Sequence, residues 1–329
     1  MTRPLRLAIL AVLLLVIPTA CADASGEDDR PLVIASTSVW GEVIEALDPS
    51  DALRVEVLLP PGADPHEYQA SAAQAADLRR ADLVVVNGLG LEEGLLDAIE
   101  AAEDDGILVI HAAEYADPLP FDGHEEHDEH AEEAHEEHEE HDEHADEEHD
   151  EHDHEGGLDP HVWLDPVRIG TVALALGDLL DEQFDGLGAA AAAVEYAAAM
   201  DALAEEMTEL LAPVEDRRLV SNHDAFGYFA DRFGFEVVGV VIPGGSTDAD
   251  PNSRDLAALT ARIIEESIPA IFVDEAVSST VAEALAAEAE GVVVVEMVTG
   301  GPNGEAPTDS IEGFLIENAM RIVDALGNG

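Results

Sequence analysis

Short apolar runs alternate with helix-like segments in the first half of the chain. The apolar runs are rich in β-branched residues and lie at 32–37, 55–60, 83–88 and 107–112. Segments with helical character lie between them, at 39–47, 71–81 and 92–102. Strands that alternate with helices are typical of βαβ units. We therefore expect an α/β lobe with a mostly parallel sheet over residues 31–184.

The same alternation begins again in the second half. Apolar runs lie at 218–223, 237–242, 270–275 and 292–297. The segments between them, at 224–234, 255–267 and 279–290, look helical. The chain is therefore predicted to form a second βα lobe over residues 217–329, and its fold class is predicted to be α/β with two lobes.

A long helix-forming segment separates the two alternations. Residues 189–212 contain no Gly or Pro and are rich in Ala, Glu, Leu and Met, which are strong helix formers. Twenty-four residues at the helical rise span about 36 Å. We expect residues 185–216 to contain one rigid helix that joins the lobes; an ordinary core helix of the second lobe is the alternative. A further helical region is expected from about Pro166 to Gln183.

The N-terminus has the pattern of an export signal. Arg3 and Arg6 precede an apolar run at 7–17, which is too short to span a bilayer. Residues 1–20 are therefore predicted to be a signal peptide, with 21–30 as a tether. Cys21, the only cysteine of the chain, is the predicted lipidation site, the alternative being an incidental Cys near a cleavage site.

The charge balance limits the possible partners. Thirteen basic and 74 acidic residues give a formal net charge of −61. This excess excludes a nucleic-acid-binding surface and disfavours contact with anionic lipid other than through an anchor at Cys21. It also suggests adaptation to salty surroundings, where self-repulsion is screened.

Ten of the 14 histidines lie in one acidic segment, residues 122–155. Apart from Asp, Glu and His, the segment contains only Ala and Gly. It is therefore expected to be disordered. Imidazoles favour transition metals, whereas acid alone would suffice for a solvated linker. We therefore expect metal contact by His124, His127, His130, His135, His138, His141, His144, His149, His152 and His154.

Three of the remaining four histidines lie in polar loops. His66 follows the second predicted strand, His161 follows the acidic segment, and His223 ends the fifth strand. Ligand sites in open parallel sheets form at the carboxyl ends of strands, and three imidazoles with a carboxylate or water are a common zinc site. A single His is more often structural or solvated, and we accept that interpretation for His111.

The sequence around these three histidines carries a family resemblance. The segments GADPHEY (62–68), DPHVWLDP (159–166) and HDAFGYF (223–229) resemble, piece by piece, the solute-binding proteins of zinc and manganese ABC importers, also called cluster A-I. The resemblance extends over the whole mature chain, including the long helix and the acidic His-rich segment. Any one of these segments alone would not be specific.

The resemblance implies a ligand set. His66, His161 and His223 correspond to the three histidine ligands of one Zn²⁺ in the cleft between the lobes. Manganese-specific members usually place Glu where His223 stands, so zinc is expected in preference to Mn²⁺. Many relatives have an Asp as a further ligand where this chain has Gly300.

Several side chains are candidates for supporting roles. The fourth ligand is expected to be Glu67 or water, with Glu296 and Asp309 as weaker candidates. Asp64, Asp159 and Asp224 are expected either to accept a hydrogen bond from a ligating imidazole or to cap turns. The aromatic residues expected to line the cleft, or only to pack in the core, are Trp163, Phe226, Tyr228 and Phe229.

The expected function follows from these features and the resemblance. We expect an extracytoplasmic, monomeric, lipid-anchored zinc-binding protein, on the outer face of the cytoplasmic membrane, that delivers Zn²⁺ to an ABC permease and its ATPase. The His-rich segment is expected to act as a low-affinity collector or sensor. No HExxH motif or nucleophile motif is present, so an enzyme is not expected. A manganese-binding protein, a surface adhesin or a metal-sequestering lipoprotein are the alternatives.

Overall fold

Two four-stranded parallel sheets form the frame of the molecule. The structure is a computed structural model that describes residues 28–121, 157–244, 246, 247, 249 and 251–327. The predicted signal peptide, Cys21 and the His-rich segment 122–155 lie outside the described residues. The described part of the chain contains no helix that is both long and apolar enough to cross a membrane.

The first sheet has the strand order β2-β1-β3-β4. Its strands are β1 (Leu32–Ala35), β2 (Arg54–Val57), β3 (Leu83–Val86) and β4 (Val109–His111). The helices of this lobe are α1 (Ser38–Ala46), α2 (Ala72–Leu78) and α3 (Leu96–Asp104). The fully buried runs of β1 and β3 explain their continuous apolar sequence, since the central strands of a parallel sheet are covered on both faces.

Two long helices lie between the two sheets along the chain. These are α4 (Pro166–Gln183) and α5 (Ala189–Leu211). Gly170 faces Ala197 while Gly177 faces Ala193, which shows that the two helices pack side by side in antiparallel directions. A Cβ placed on Gly177 would lie 2.7 Å from the Cβ of Ala193. Glycine at this position therefore allows the two helices to approach closely.

The second sheet has the order β6-β5-β7-β8 and is also parallel. Its strands are β5 (Arg218–His223), β6 (Glu236–Ile242), β7 (Ala270–Asp274) and β8 (Val293–Met297). Its helices are α6 (Gly227–Phe233), α7 (Ser253–Glu265), α8 (Thr280–Glu288) and α9 (Ile311–Leu326). The predicted two-lobe α/β fold is confirmed, and α9 adds a helix that the sequence pattern had not indicated.

One hydrophobic core extends through both lobes. It includes Trp40 and Val85 of the first lobe, Met207 of α5, and Phe272 and Phe314 of the second lobe. Helix α5 contacts both α1 and α9. The two lobes and the connecting helices are therefore packed into one continuous interior, which places the loops at the carboxyl ends of the two sheets opposite each other.

Candidate metal centre

Three histidines from distant parts of the chain meet between the lobes. His66 lies in the loop between β2 and α2, His161 precedes α4, and His223 is the last residue of β5. Their exposed fractions are 4%, 2% and 2%. His223 thus lies at the carboxyl end of a strand and His66 in the loop that follows one, where open α/β folds place their ligands, whereas His161 lies in the segment before α4.

The three imidazoles direct nitrogen atoms towards a common point. The Nε2 atom of His161 lies 3.4 Å from that of His66 and 3.0 Å from that of His223. One ligand atom from each ring lies within 4.8 Å of the others. Tetrahedral zinc with bonds of about 2.0–2.1 Å separates neighbouring ligand nitrogens by about 3.3 Å. The two separations from His161 match this value, and the three rings together form a group that could hold a metal ion.

Asp159 fixes the hydrogen position on one of these rings. Its Oδ1 atom lies 2.8 Å from Nδ1 of His161 and also accepts the backbone N–H of His161 at 2.9 Å. An ionised carboxylate only accepts hydrogen bonds, so the imidazole hydrogen is on Nδ1. The lone pair of Nε2 is then directed at the other two histidines, as a metal ligand requires.

Asp64, the acid two residues before His66, has different hydrogen-bond partners. Asp64 accepts the backbone N–H of His66 and the hydroxyl of Thr247. The Nδ1 atoms of His66 and His223 are buried and have no hydrogen-bond partner among the described residues. The imidazole contact predicted for a neighbouring acid is therefore present at Asp159.

Burial keeps two of the imidazoles neutral. It lowers the pKa of His66 to about 3, with a smaller effect from His161. It also lowers the pKa of His223 well below the usual value, with further contributions from His161 and His66. Imidazole binds metal only in its neutral form, so both rings are ready to bind a cation at neutral pH.

Asp274 is a buried carboxylate near the histidines that the sequence interpretation missed. It ends β7, which is the neighbour of β5 in the sheet, and its exposed fraction is 8%. Its backbone N–H donates to Oδ1 of Asn222, and burial raises its pKa to about 6. The rule that ligand sites lie at the carboxyl ends of strands was the signal that could have identified it.

The candidates for a fourth ligand do not join the three-histidine cluster. Within the described residues, the cluster with metal-site dimensions contains the three histidines and no carboxylate. Glu67 is exposed and lines a cavity of about 390 Å³ together with His66. Glu296 and Asp309 are exposed. A Cβ on Gly300 would approach the carbonyl oxygen of Ala63 at 4.0 Å, so Gly300 faces the loop that carries His66.

The remaining predicted residues occupy different surroundings. The ring of Trp163 lies 5.4 Å from that of His161, and its Nε1 donates to the carbonyl of Thr299 at 2.6 Å. Phe226 and Phe229 are part of the continuous core. His111 lies at the end of β4, 3.4 Å from a carboxylate oxygen of Glu103, and outside the cluster.

Comparison with known proteins gives a consistent set of similarities. A family model described as "Zinc-uptake complex component A periplasmic" matches residues 33–325. The chain is 38% identical over 279 residues to the high-affinity zinc uptake system protein ZnuA of Paracoccus denitrificans, covering 83% of this chain and 82% of that protein. It is 26% identical over 285 residues to the manganese-binding lipoprotein MntA of Halalkalibacterium halodurans, covering 83% and 81%.

The fold is also similar to that of a solved structure. The periplasmic zinc-binding protein TroA of Treponema pallidum superimposes with a TM-score of 0.71 at 26% identity, over 90% of this chain and 99% of that chain. The curated TroA sequence is 28% identical over 278 residues, covering 81% of this chain and 78% of that protein. The likeness therefore includes both lobes.

Proposed function

This chain belongs to the family of periplasmic A components of zinc-uptake complexes, and we propose that it captures Zn²⁺ through His66, His161 and His223. The observation that carries this proposal is the convergence of the three Nε2 atoms at separations of 3.0 and 3.4 Å. Buried imidazoles at these separations suit a tetrahedral cation. Water or Glu67 is proposed for the fourth coordination position.

The donor set favours zinc over manganese. Imidazole nitrogen suits zinc, whereas carboxylate and water oxygens suit manganese. The cluster contains three imidazoles and no carboxylate among the described residues. Two buried carboxylates lie outside this donor set: Asp159 contacts the ring of His161, and Asp274 ends the strand beside β5.

Competitive titration tests the choice of metal. The purified protein, stripped of metal, is titrated with zinc and with manganese in the presence of a chelator that withholds metal from weak sites. We expect zinc to bind at one tight site and manganese to bind much more weakly. Manganese-binding relatives such as MntA make manganese the second candidate, and tighter binding of manganese would overturn the zinc assignment.

Family membership defines the cellular role at a coarse level. The chain is the metal-binding component of an ABC uptake system, works outside the cytoplasm and is not an enzyme. At a finer level, we propose that it is a monomer anchored through a lipid on Cys21 and that it delivers zinc to the permease. Replacement of Cys21 by Ser should move the protein from the membrane fraction to the soluble fraction; unchanged fractionation would contradict the anchor.

The His-rich segment is proposed to collect metal at low affinity. Many weak ligands on a tether raise the local metal concentration at a nearby tight site. Deletion of residues 122–155 should remove weak zinc equivalents in calorimetry and leave the tight one. The bond from the backbone N–H of Phe121 to the carbonyl of Gly157 holds the two ends together, so a short turn can close the deletion. An unchanged stoichiometry would refute the collecting role.

A further inference from the structure

The hydroxyl of Tyr228 lies between two segments that lead to the metal centre. Tyr228 is in the first turn of α6, five residues after His223, and is fully buried. Its Oη accepts the backbone N–H of Leu119 at 2.9 Å and donates to the carbonyl oxygen of Asp159 at 2.6 Å. Leu119 and Asp159 also bond to each other through their backbones. Tyr228 thus attaches this pair of chain segments to the second lobe.

Asp159 is also confined on its side-chain oxygens. Oδ1 contacts the backbone nitrogen and the ring Nδ1 of His161. A Cβ placed on Gly227 would lie 2.7 Å from Oδ2 of Asp159. The carboxylate therefore fits between His161 and the start of α6 only because residue 227 has no side chain. The position of Asp159, and through it the orientation of the His161 ring, depends on α6.

The first lobe holds the same segment from the opposite side. Nδ2 of Asn87 donates to the carbonyl of Pro160 at 3.0 Å, and Oδ1 of Asn87 accepts Nε1–H of Trp40 at 3.1 Å. Asp159 and Pro160, the two residues before His161, are therefore bonded to different lobes. A ligand held from both sides is oriented before the metal arrives, which reduces the entropy that binding would otherwise cost.

We infer that Tyr228 is a positioning residue for metal binding, acting through Asp159 to orient His161. This inference rests on the proposed function. The ring of Tyr228 packs in the core and under the guanidinium of Arg168, whose carbon lies 4.8 Å from the ring centroid. A purely structural role would require the ring alone, whereas the positioning role requires the hydroxyl. Tyr228→Phe separates the two roles, because Phe keeps the ring.

Tyr196→Phe is the matched control. The hydroxyl of Tyr196 is buried on α5 and has no hydrogen-bond partner among the described residues. Zinc affinity of the full chain is measured by competition with a chelator, and cobalt(II) is added as a spectroscopic probe of coordination geometry. We expect Tyr228→Phe to weaken zinc binding about tenfold, the low end of the effect of changing a ligand's supporting residues, and to change the visible cobalt spectrum. Tyr196→Phe should behave as wild type in both.

Coupling to Asp159 provides a second readout. If Tyr228 acts through Asp159, the loss of affinity in the Tyr228→Phe, Asp159→Asn double variant should be smaller than the two single losses combined. Gly227→Ala should mimic Tyr228→Phe, because its methyl group displaces the Asp159 carboxylate while the hydroxyl remains. Wild-type zinc affinity and cobalt spectrum in Gly227→Ala would show that the position of Asp159 does not control binding and would overturn the inference even if Tyr228→Phe does not fold.

Failure of the inference differs from failure of the proposed function. Wild-type zinc affinity and cobalt spectrum in Tyr228→Phe, with tight binding by the wild-type chain, would overturn the positioning role alone. Weak zinc binding by the wild-type chain that is unaffected by His223→Ala would overturn the proposed function itself.

Discussion

At the residue scale, the histidines of this chain divide into groups with different chemistry. The rings of His66, His161 and His223 have centroids 4.8–5.4 Å apart, whereas His111 lies at the end of β4 beside Glu103. His223→Ala should therefore weaken zinc binding by at least about a hundredfold, since a ligand matters at least as much as its supporting residues. His111→Ala should have no effect in the same competition assay, and equal effects of the two changes would contradict the proposed ligand set.

Burial of His66 also makes the stability of the metal-free protein depend on pH. Its pKa is lowered to about 3, while an imidazole in the unfolded chain titrates near 6.5. As the pH falls below about 6.5, the unfolded chain takes up a proton at this residue that the folded chain does not bind. The free energy of unfolding therefore falls between about pH 6.5 and pH 3.

The comparison of two variants isolates this effect. Between pH 7 and pH 5, the free energy of unfolding of the metal-free wild-type protein should fall by about 2 kcal/mol more than that of His66→Gln. Urea unfolding at the two pH values measures both changes. The acidic residues titrate in both proteins, so their contribution cancels. Equal losses would show that the imidazole is not desolvated in the folded state.

At the scale of elements, the close contact between α4 and α5 sets the frame that connects the lobes. Gly177→Val would place side-chain carbons against Ala193, whose Cβ is 2.7 Å from the position of the new Cβ. We expect a loss of about 2 kcal/mol in unfolding free energy from this overpacking. Asp178→Val, at the next and exposed position of the same helix, is the control. Similar losses in both variants would mean that β-branching, and not the contact, is responsible.

The positions of most elements were predictable because they depend on local periodicity, and two elements match closely at their boundaries. Helix α5 begins at Ala189 and ends at Leu211, one residue before the predicted end. Strand β5 occupies residues 218–223 as predicted. Helix α9 was missed, although its N-cap Ser310 accepts the backbone N–H of Gly313, a recognisable start signal. The sequence interpretation followed alternation with strands, and no strand comes after α9 in the described residues.

At the scale of the whole molecule, the continuous core limits relative movement of the lobes. Residues of both sheets and of α5 belong to one cluster, so wide opening would expose apolar surface. We expect X-ray scattering profiles of the metal-free and zinc-bound forms to give nearly the same radius of gyration. A large decrease on zinc addition would indicate a hinge that this core does not permit.

The charge of the whole chain predicts a dependence on salt. A formal net charge of −61 gives strong self-repulsion, and the Debye length shortens from about 10 Å at 0.1 M salt to about 3 Å at 1 M. The thermal unfolding midpoint of the metal-free protein should therefore rise markedly between these two conditions. Sucrose at an osmolality matched to 1 M salt serves as the control. Equal midpoints at the two salt concentrations would contradict adaptation to salty surroundings.

Sequence by itself determined the alternation of strands and helices apart from α9, the two parallel-sheet lobes and the segments that bring the three histidines. Periodicity is local, and the carboxyl ends of parallel strands are where ligands meet. Only the tertiary structure decided that Asp159 bonds the imidazole of His161, that Asp274 is buried near the same site, and that Glu296 and Asp309 remain at the surface. Those outcomes depend on contacts between side chains that are distant along the chain, such as Tyr228 with Asp159. The strand ends bring the loops together, but which carboxylate reaches which ring is settled by how α6, Gly227 and the shared core pack.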